Sequence, residues 1–291
     1  MARRENSGLN AIRHAYAKQL LAAAGLRNAR VERAFAATPR EKFLGRGPWP
    51  ILRWGKGYVR SPSADPSYVY TDVLVGLQTK KHINNGQPSF HALLLAKLDP
   101  QPGEHVVHVG AGSGYYTAVM AELVGKTGRV TAFEVDKEMV ARAKRNLRRY
   151  PQVRVIHGDA TRMAFDPADG IYVNAGVTRP PEAWLDALRG RGRMIVPLTT
   201  EGGFNRRNAG RIERHGAVFR IERRRQRYLA TWLSPVAIYP CKGARDKASE
   251  RALRQAFKKG GWQSVRRLYR HDDVPAARCW LKGDGWCLAY A

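Results

Sequence analysis

Ten residues constrain this chain more than any others: Val106-Val107-His108-Val109-Gly110-Ala111-Gly112-Ser113-Gly114-Tyr115. The valine-rich run reads as a strand buried on both faces. Glycines at alternate positions then turn the chain straight into the helical pattern Tyr115–Val124. A Cβ at such glycines would intrude on anything bound at the strand tip, so the turn lets backbone approach a ligand. Downstream, strands at 129–135, 153–157, 171–174 and 193–198 alternate with helices at 137–150 and 182–188. That alternation predicts an α/β fold, a mainly parallel sheet with helices on both faces. Upstream, apolar spacing predicts helices over 9–24, 28–37 and 88–98, with Pro39 ending the second. Residues 45–67, dense in Gly and Pro and carrying Trp49, Trp54 and Tyr58, read as an ordered loop. Past Gly203 the pattern becomes paired strands at 217–222 and 228–233, a helix at 246–259 and a Trp-rich hairpin-like tail at 262–290.

The next strand tips carry acids. Val130-Thr131-Ala132-Phe133-Glu134 ends in a carboxylate about twenty residues past the glycines, the spacing at which an acid accepts ribose hydroxyls. The following strand ends His157-Gly158-Asp159, where a second acid, with Ala160 beside it, is placed to accept an adenine amine. A dinucleotide site would more usually read G-x-G-x-x-G and put a pyrophosphate on the helix N-terminus. Here bulky Tyr115 and Tyr116 follow the last glycine, and S-adenosylmethionine fits better than a dinucleotide.

The formal charge of +27 is uneven: residues 1–100 carry 16 basic and 6 acidic groups, 101–200 carry 14 and 10, and 201–291 carry 21 and 8. Basic flanks around a nearly balanced centre admit weak nucleic-acid binding. Arg223-Arg224-Arg225-Gln226-Arg227 reads equally as a phosphate-binding stripe or a solvated hairpin turn. No apolar run approaches the roughly 18 residues of a membrane span, and the N-terminus lacks a signal-peptide apolar core, so the chain reads as cytoplasmic. Cys241, Cys279 and Cys287 are too few and too oddly numbered for a disulfide framework and read as free thiols. His82, His91 and His157 lack metal-ligand spacing, so no metal is expected. Trp262, Trp280 and Trp286 read as a small core rather than a base-stacking platform.

At this point the chain resembles the protein-L-isoaspartate (D-aspartate) O-methyltransferases over about residues 12–240. The resemblance rests on Thr38-Pro39-Arg40-Glu41-Lys42-Phe43, Tyr70-Thr71-Asp72, Gly112-Ser113-Gly114-Tyr115-Tyr116-Thr117-Ala118, Ala121-Glu122-Leu123-Val124-Gly125, Gly158-Asp159 and Gly192-Arg193-Met194-Ile195-Val196-Pro197. It implies a Rossmann-like S-adenosylmethionine-dependent methyltransferase that esterifies the free carboxylate of isoaspartyl residues in damaged proteins. His108, Gly110, Ala111, Gly112, Ser113, Gly114, Glu134, Asp159 and Ala160 would then hold the cofactor. Residues 1–85 would form a helical and loop segment over the substrate site, 86–240 the methyltransferase core, and 241–291 a basic extension. Two positions depart from the family. Gly86 stands where the family stretch before its core helix has a serine thought to contact the reacting carboxylate, leaving Gly86, Gln87 and Ser89 as the candidate catalytic segment. Ser89 also reads as a plain N-cap of helix 90–98, and Asn84 or Asn85 as a turn or a carboxylate donor. His108 replaces an acid at the cofactor's methionine end and is expected either to weaken or pH-tune cofactor binding, or to be a hydrogen-bonded core histidine. An N/D-P-P-Y/F motif is missing at Asn174-Ala175-Gly176-Val177, which counts against amino-group methylation of bases. Two other readings stay open: RNA as methyl acceptor, and a methyltransferase-like binding protein without turnover. The oligomeric state is not encoded in any of these motifs.

Overall fold

The computed structural model describes residues 2–53, 55–81, 83–204, 212–271 and 273–290. The chain begins with α1 (Ala2–Ala23), α2 (Ala29–Ala37) and α3 (Glu41–Leu44), then β1 (Pro50–Arg53), β2 (Gly57–Arg60), β3 (Gly76–Gln78) and β4 (Ile83–Asn84). The central portion runs α4 (Pro88–Leu98), β5 (His105–Val109), α5 (Tyr115–Val124), β6 (Arg129–Glu134), α6 (Lys137–Asn146) and β7 (Val153–His157). It continues through β8 (Ala168–Val173), α7 (Glu182–Ala187), β9 (Leu188–Thr199), β10 (Gly216–Arg224) and β11 (Arg227–Pro235). The C-terminal part holds α8 (Lys247–Lys259), β12 (Arg267–Tyr269), β13 (Cys279–Gly283) and β14 (Trp286–Ala289).

Two compact units divide these elements. One comprises Met1–Glu104 with Ala111–His157, the other His105–Gly110 with Gly158–Ala291. In the first unit β6 and β7 pair in parallel from Val130 opposite Val153 to Glu134 opposite His157. Two helices of this unit start where the sequence supplies a cap: the Asn28 side chain accepts from Arg30 and Val31 N–H to open α2, and Asp136 accepts from Glu138 and Met139 N–H to open α6. The stretch read as a loop over 45–67 contains a hairpin, β1 against β2, with Ile51 opposite Val59. Its glycines and prolines mark the turn and edges of the hairpin rather than an absence of strands.

In the second unit the strand order is β13-β14-β12-β11-β10-β9-β8-β5. Parallel pairing joins β5 to β8 and β8 to β9, and antiparallel pairing carries the sheet from β9 outward. Every residue of β5 is buried, with Val106 and Val107 wholly so, as a strand covered on both faces requires. Burial of each valine contributes about 1.5–3 kcal/mol, which fixes the strand that launches the glycine turn.

The C-terminal residues add strands to this sheet, and the hairpin expected within 262–290 is β13 against β14. Trp262, Trp280 and Trp286 are buried, and Phe257 packs edge-on against Trp262 and Trp280 at 5.4 and 5.6 Å, so the tryptophans are core. The expectation of three free thiols is overturned for two of them. Cys279 and Cys287 form a disulfide between adjacent antiparallel strands, and Cys241 alone is free. Sequence spacing could not show this, because β13 and β14 bring the two cysteines together through strand register.

Candidate active site

The glycine turn has the geometry its sequence demands. Gly110, Gly112 and Gly114 have φ of 81°, 55° and 90°, a region glycine enters without steric cost. A Cβ on Gly114 would lie 2.8 Å from the Leu147 side chain, and one on Gly110 3.1 Å from the Asn174 carbonyl oxygen. Ser113 is buried and its backbone carbonyl accepts from Asn146 at 2.9 Å, while buried Ala111 donates its N–H to the Phe133 carbonyl at 3.0 Å. The turn is therefore held rigidly at the tip of β6.

Glu134 closes that turn. Its Oε2 accepts the Gly112 N–H at 2.7 Å, and its Oε1 accepts from Val135 and Asp136 N–H at 2.8 and 3.0 Å. Each carboxylate oxygen has about two lone-pair directions, so the group is fixed by backbone and still able to accept from a bound hydroxyl. Asp159, in the second unit, is fixed through Oδ1, which accepts from the Thr161 N–H at 2.9 Å and its hydroxyl at 2.8 Å. A Cβ on Gly243 would lie 2.1 Å from Asp159 Oδ2, so residue 243 must be glycine for the chain to pass so close. Beside it, burial and the Asp159 charge push the Cys241 thiol up to about 11. Ala160 is buried, its carbonyl accepting from Trp184 Nε1 at 3.0 Å.

His108 is fully buried in β5 with its ring 5.5 Å from that of Tyr172. Burial drives its pKa down to about 3, so the ring is neutral at any physiological pH. The ring sits in the core of β5 and is not in position to exchange a proton near neutral pH.

The segment before α4 is organised by an acid 17 residues upstream. Asp72 Oδ1 accepts the Ser89 N–H at 2.8 Å, and its Oδ2 accepts from Ser89 Oγ at 2.6 Å and Gln87 Nε2 at 2.9 Å. Gln87 is the N-cap residue without a side-chain cap bond, and Pro88 follows at the first helical position. Ser89 is thus not the N-cap: Asp72 performs that task from outside the helix, and the Ser89 hydroxyl is committed to it. Asn84 Oδ1 accepts from the Gly86 N–H at 2.8 Å, which is the turn reading. Asn85 Oδ1 accepts from Arg40 Nε at 3.3 Å.

Arg40 sits under this loop with no exposed surface. Its guanidinium also donates to the carbonyls of Val69, Thr71 and Val73 at 2.6, 3.0 and 2.7 Å. Desolvation opposes its charge, but the buried tyrosines and Asp72 around it hold the pKa above the ordinary value. The cation gathers the carbonyls flanking Asp72 and so holds that carboxylate at α4.

Residues 56–228 match the family described as protein-L-isoaspartate(D-aspartate) O-methyltransferase. The chain belongs to the protein-L-isoaspartate O-methyltransferase family. A Thermotoga maritima protein-L-isoaspartate O-methyltransferase is 34% identical over 174 residues, 58% of this chain and 50% of that protein. One from Methanopyrus kandleri is 35% identical over 182 residues, covering 60% and 70%. The chain thus spans half the length of the Thermotoga relative. A solved protein-L-isoaspartate O-methyltransferase superposes with a TM-score of 0.62 at 24% identity, covering 87% of this chain and 71% of that one. A Plasmodium falciparum structure assigned to the same activity, in complex with S-adenosyl-L-homocysteine, gives 0.61 at 20% identity, covering 79% and 98%. These superpositions show the α/β fold that strand alternation predicts and the methyltransferase form of it that the family resemblance implies.

Within this O-methyltransferase family chain, Gly86 has φ of 70°, and a Cβ there would lie 2.2 Å from His91 Nε2. His91 is buried and stacks on Tyr116 with ring centroids 3.7 Å apart. The imidazole therefore occupies the space a side chain at 86 would need. The sequence reading treated His91 as structural or solvated; the structure makes it structural. The close pairing of a glycine with a histidine five residues later was the only signal for this, and it is visible only once the turn geometry is known. Arg40 and Asp72 lay inside family-like motifs, but nothing in their spacing showed that one carries the other. Among the described residues no helix is long and apolar enough to cross a membrane and no group of His, Cys, Asp or Glu could hold a metal.

Proposed function

We propose that this chain transfers a methyl group from S-adenosylmethionine to the free carboxylate of L-isoaspartyl or D-aspartyl residues in damaged proteins. The observation that carries the reading is the bond from Gly112 N–H to Glu134 inside a chain of this family. It pins an acceptor carboxylate to a glycine turn at a strand tip, as a nucleoside ribose requires. Glu134 would accept the ribose hydroxyls, Asp159 the adenine amine, and backbone from Gly110 to Gly114 would approach the amino-acid end. Ser113, Ala111 and Ala160 shape that surface, and His108 backs it as a neutral core residue. S-adenosylmethionine, when bound, supplies a methyl on a sulfonium, an activated leaving group.

The acceptor needs no general base. A carboxylate with a reference pKa near 4 is ionised at neutral pH, so the chain has only to align it and exclude water. Gln87 is exposed at the end of the Asp72-held loop and its amide carries two donors. It is the exposed side chain of the Gly86-Gln87-Ser89 segment, and to reach an acceptor carboxylate its Nε2 would exchange its bond to Asp72 or to Ser89 Oγ. Residues 1–85 supply Arg40 and Asp72 to this arrangement. Isoaspartyl-containing proteins are the partners this chemistry calls for, in whatever compartment they meet the chain.

Incubation with methyl-tritiated S-adenosylmethionine and an isoaspartyl peptide beside its aspartyl twin tests the reading. Label in the isoaspartyl peptide alone is expected. Label in neither peptide, or in RNA instead, overturns it. Replacement of Gln87 by Ala is expected to lower kcat/KM for the isoaspartyl peptide about tenfold or more, the loss of one hydrogen bond to a charged group.

A further inference from the structure

The run Arg223-Arg224-Arg225-Gln226-Arg227 reads from sequence as a phosphate-binding stripe or a solvated turn, and strand register divides it. Residues directly opposite one another on antiparallel strands share a face. Between β10 and β11, Arg220 stands opposite Thr231, Glu222 opposite Leu229 and Arg224 opposite Arg227. Glu222 also stands opposite Arg193 on β9, and Leu229 opposite Arg267 on β12. One face of these four strands of the second unit therefore carries Arg193, Arg220, Arg224, Arg227 and Arg267. Arg223 leaves by the other face, where its Nη1 donates to the Leu188 carbonyl at 2.6 Å and where Phe219, Ile221 and Tyr228 are buried.

The arginine face is open where the other is packed. Arg224 keeps 57% of its side chain exposed, and Arg227, Leu229 and Thr231 are exposed beside it. Glu222 is the one acid that register puts on this face among the described residues of the four strands, and Arg220 and Arg224 both pair with it. The face is thus strongly positive, and its cations do not titrate. With strands about 4.8 Å apart and a rise of about 3.3 Å per residue, the arginines span about 14 Å across the strands and about 13 Å along β10.

The uncharged residues of this face select among polyanions. A protein partner needs a desolvated apolar centre inside its polar rim, and Leu229 is the single large apolar side chain exposed here among the described residues. A single strand needs rings on which its bases stack, and Tyr269, the ring that register places on this face, is packed against the cluster of Val274, Cys279 and Cys287. A duplex needs neither, because its bases already stack on one another and its outer surface is phosphate. Cations and hydroxyls hold such a backbone without reading its sequence. Arginine's planar fork also matches phosphate oxygens where lysine offers only a point charge, and every cation that register places here is arginine. We infer that the open face of β9, β10, β11 and β12 binds the sugar-phosphate backbone of a double-stranded nucleic acid, with phosphates against Arg193, Arg220, Arg224, Arg227 and Arg267.

Fluorescence anisotropy tests this on the full chain, with a short labelled RNA duplex, the DNA duplex of the same sequence, one of their single strands and a glutamate-rich peptide as probes. S-adenosylhomocysteine is kept saturating so that any adenosine site is closed. Duplex binding is expected at least about tenfold tighter than that of the single strand or the peptide, with log K falling against log salt at a slope of about −3 to −4, as for about four neutralised phosphates. The preferred duplex identifies the source, and equal affinity for both supports recognition of the backbone they share. An Arg224→Gln/Arg227→Gln double variant, its fold checked by circular dichroism, is expected to bind duplex at least about tenfold more weakly and to flatten the slope by about 2. Lys18→Gln/Arg33→Gln removes the same charge from exposed positions of α1 and α2 and is expected to change the affinity less than about threefold. Equal losses in the two variants would mean attraction by net charge alone and would overturn the inference. So would the absence of duplex binding, tighter binding of the single strand or the peptide, or undiminished affinity in the folded arginine variant.

Discussion

A buried histidine, a glycine and a carboxylate set what single residues can be asked to do. His108 keeps its ring neutral down to about pH 3 in the folded chain, whereas an unfolded histidine takes a proton near 6.5. Between those values the unfolded state binds more protons, so stability rises with pH and is lost as pH falls below about 6.5. The slope approaches about 1.4 kcal/mol per pH unit from this one group. Urea unfolding at pH 7 and pH 5 is expected to show a smaller loss of stability in His108→Asn than in the natural chain, and an equal loss in both would refute the assignment. Gly86→Ser is expected to destabilise by about 1–3 kcal/mol, because it adds a Cβ at positive φ against His91. Glu134 meets Gly112 across 22 residues because the turn is held to the end of β6 by the Ala111 N–H on the Phe133 carbonyl. The approach of Gly243 to Asp159 was hidden, since it depends on the path of a segment far along the chain.

Elements built from local capping and apolar period were the legible part of the fold. Asn28 and Asp136 open helices where the pattern places them, and β5, β6 and β7 fall within a residue or two of the predicted strands. The predicted helix over 137–150 ends four residues early at Asn146, where Leu147 is needed to pack under Gly114. The hairpin at Pro50–Arg60 escaped because its strands are short and glycine-flanked, and short strands carry little period. The cap on α4 escaped because Asp72 acts from another loop. Arg40 holds that loop, so Arg40→Met is expected to cost about 3 kcal/mol or more by leaving buried carbonyls unsatisfied. Hydrogen exchange should show the amides of 69–73 opening in the variant; unchanged protection would mean the loop stands without the cation. The Cys279–Cys287 bridge, eight residues apart, contributes about 2.5 kcal/mol by loop-entropy reasoning. Reduction is expected to lower the melting temperature accordingly, and an unchanged melt would show that β13 and β14 hold without it.

For the whole molecule, the formal charge of +27 is the property most open to a simple measurement. On the proposed activity, basic flanks would raise the local concentration of acidic acceptors, and salt screens that attraction within about 10 Å at 0.1 M. The kcat/KM for an acidic isoaspartyl peptide is expected to fall more steeply with added salt than that for a neutral one, through KM; parallel salt curves would remove charge from the account. Family membership, the α/β fold and the glycine turn were readable from the sequence. The C-terminal hairpin was readable in the 262–290 tail and is β13 against β14; that β12 joins it to β11 and the second unit's sheet was not, because such pairing is set by register rather than composition. The central claim is that the glycine turn, Glu134 and Asp159 hold an adenosyl donor, and calorimetric titration with S-adenosylhomocysteine tests it most directly. One molecule bound per chain, with Glu134→Ala and Asp159→Ala each at least about tenfold weaker, is the predicted result; binding of the same affinity in both variants would contradict it.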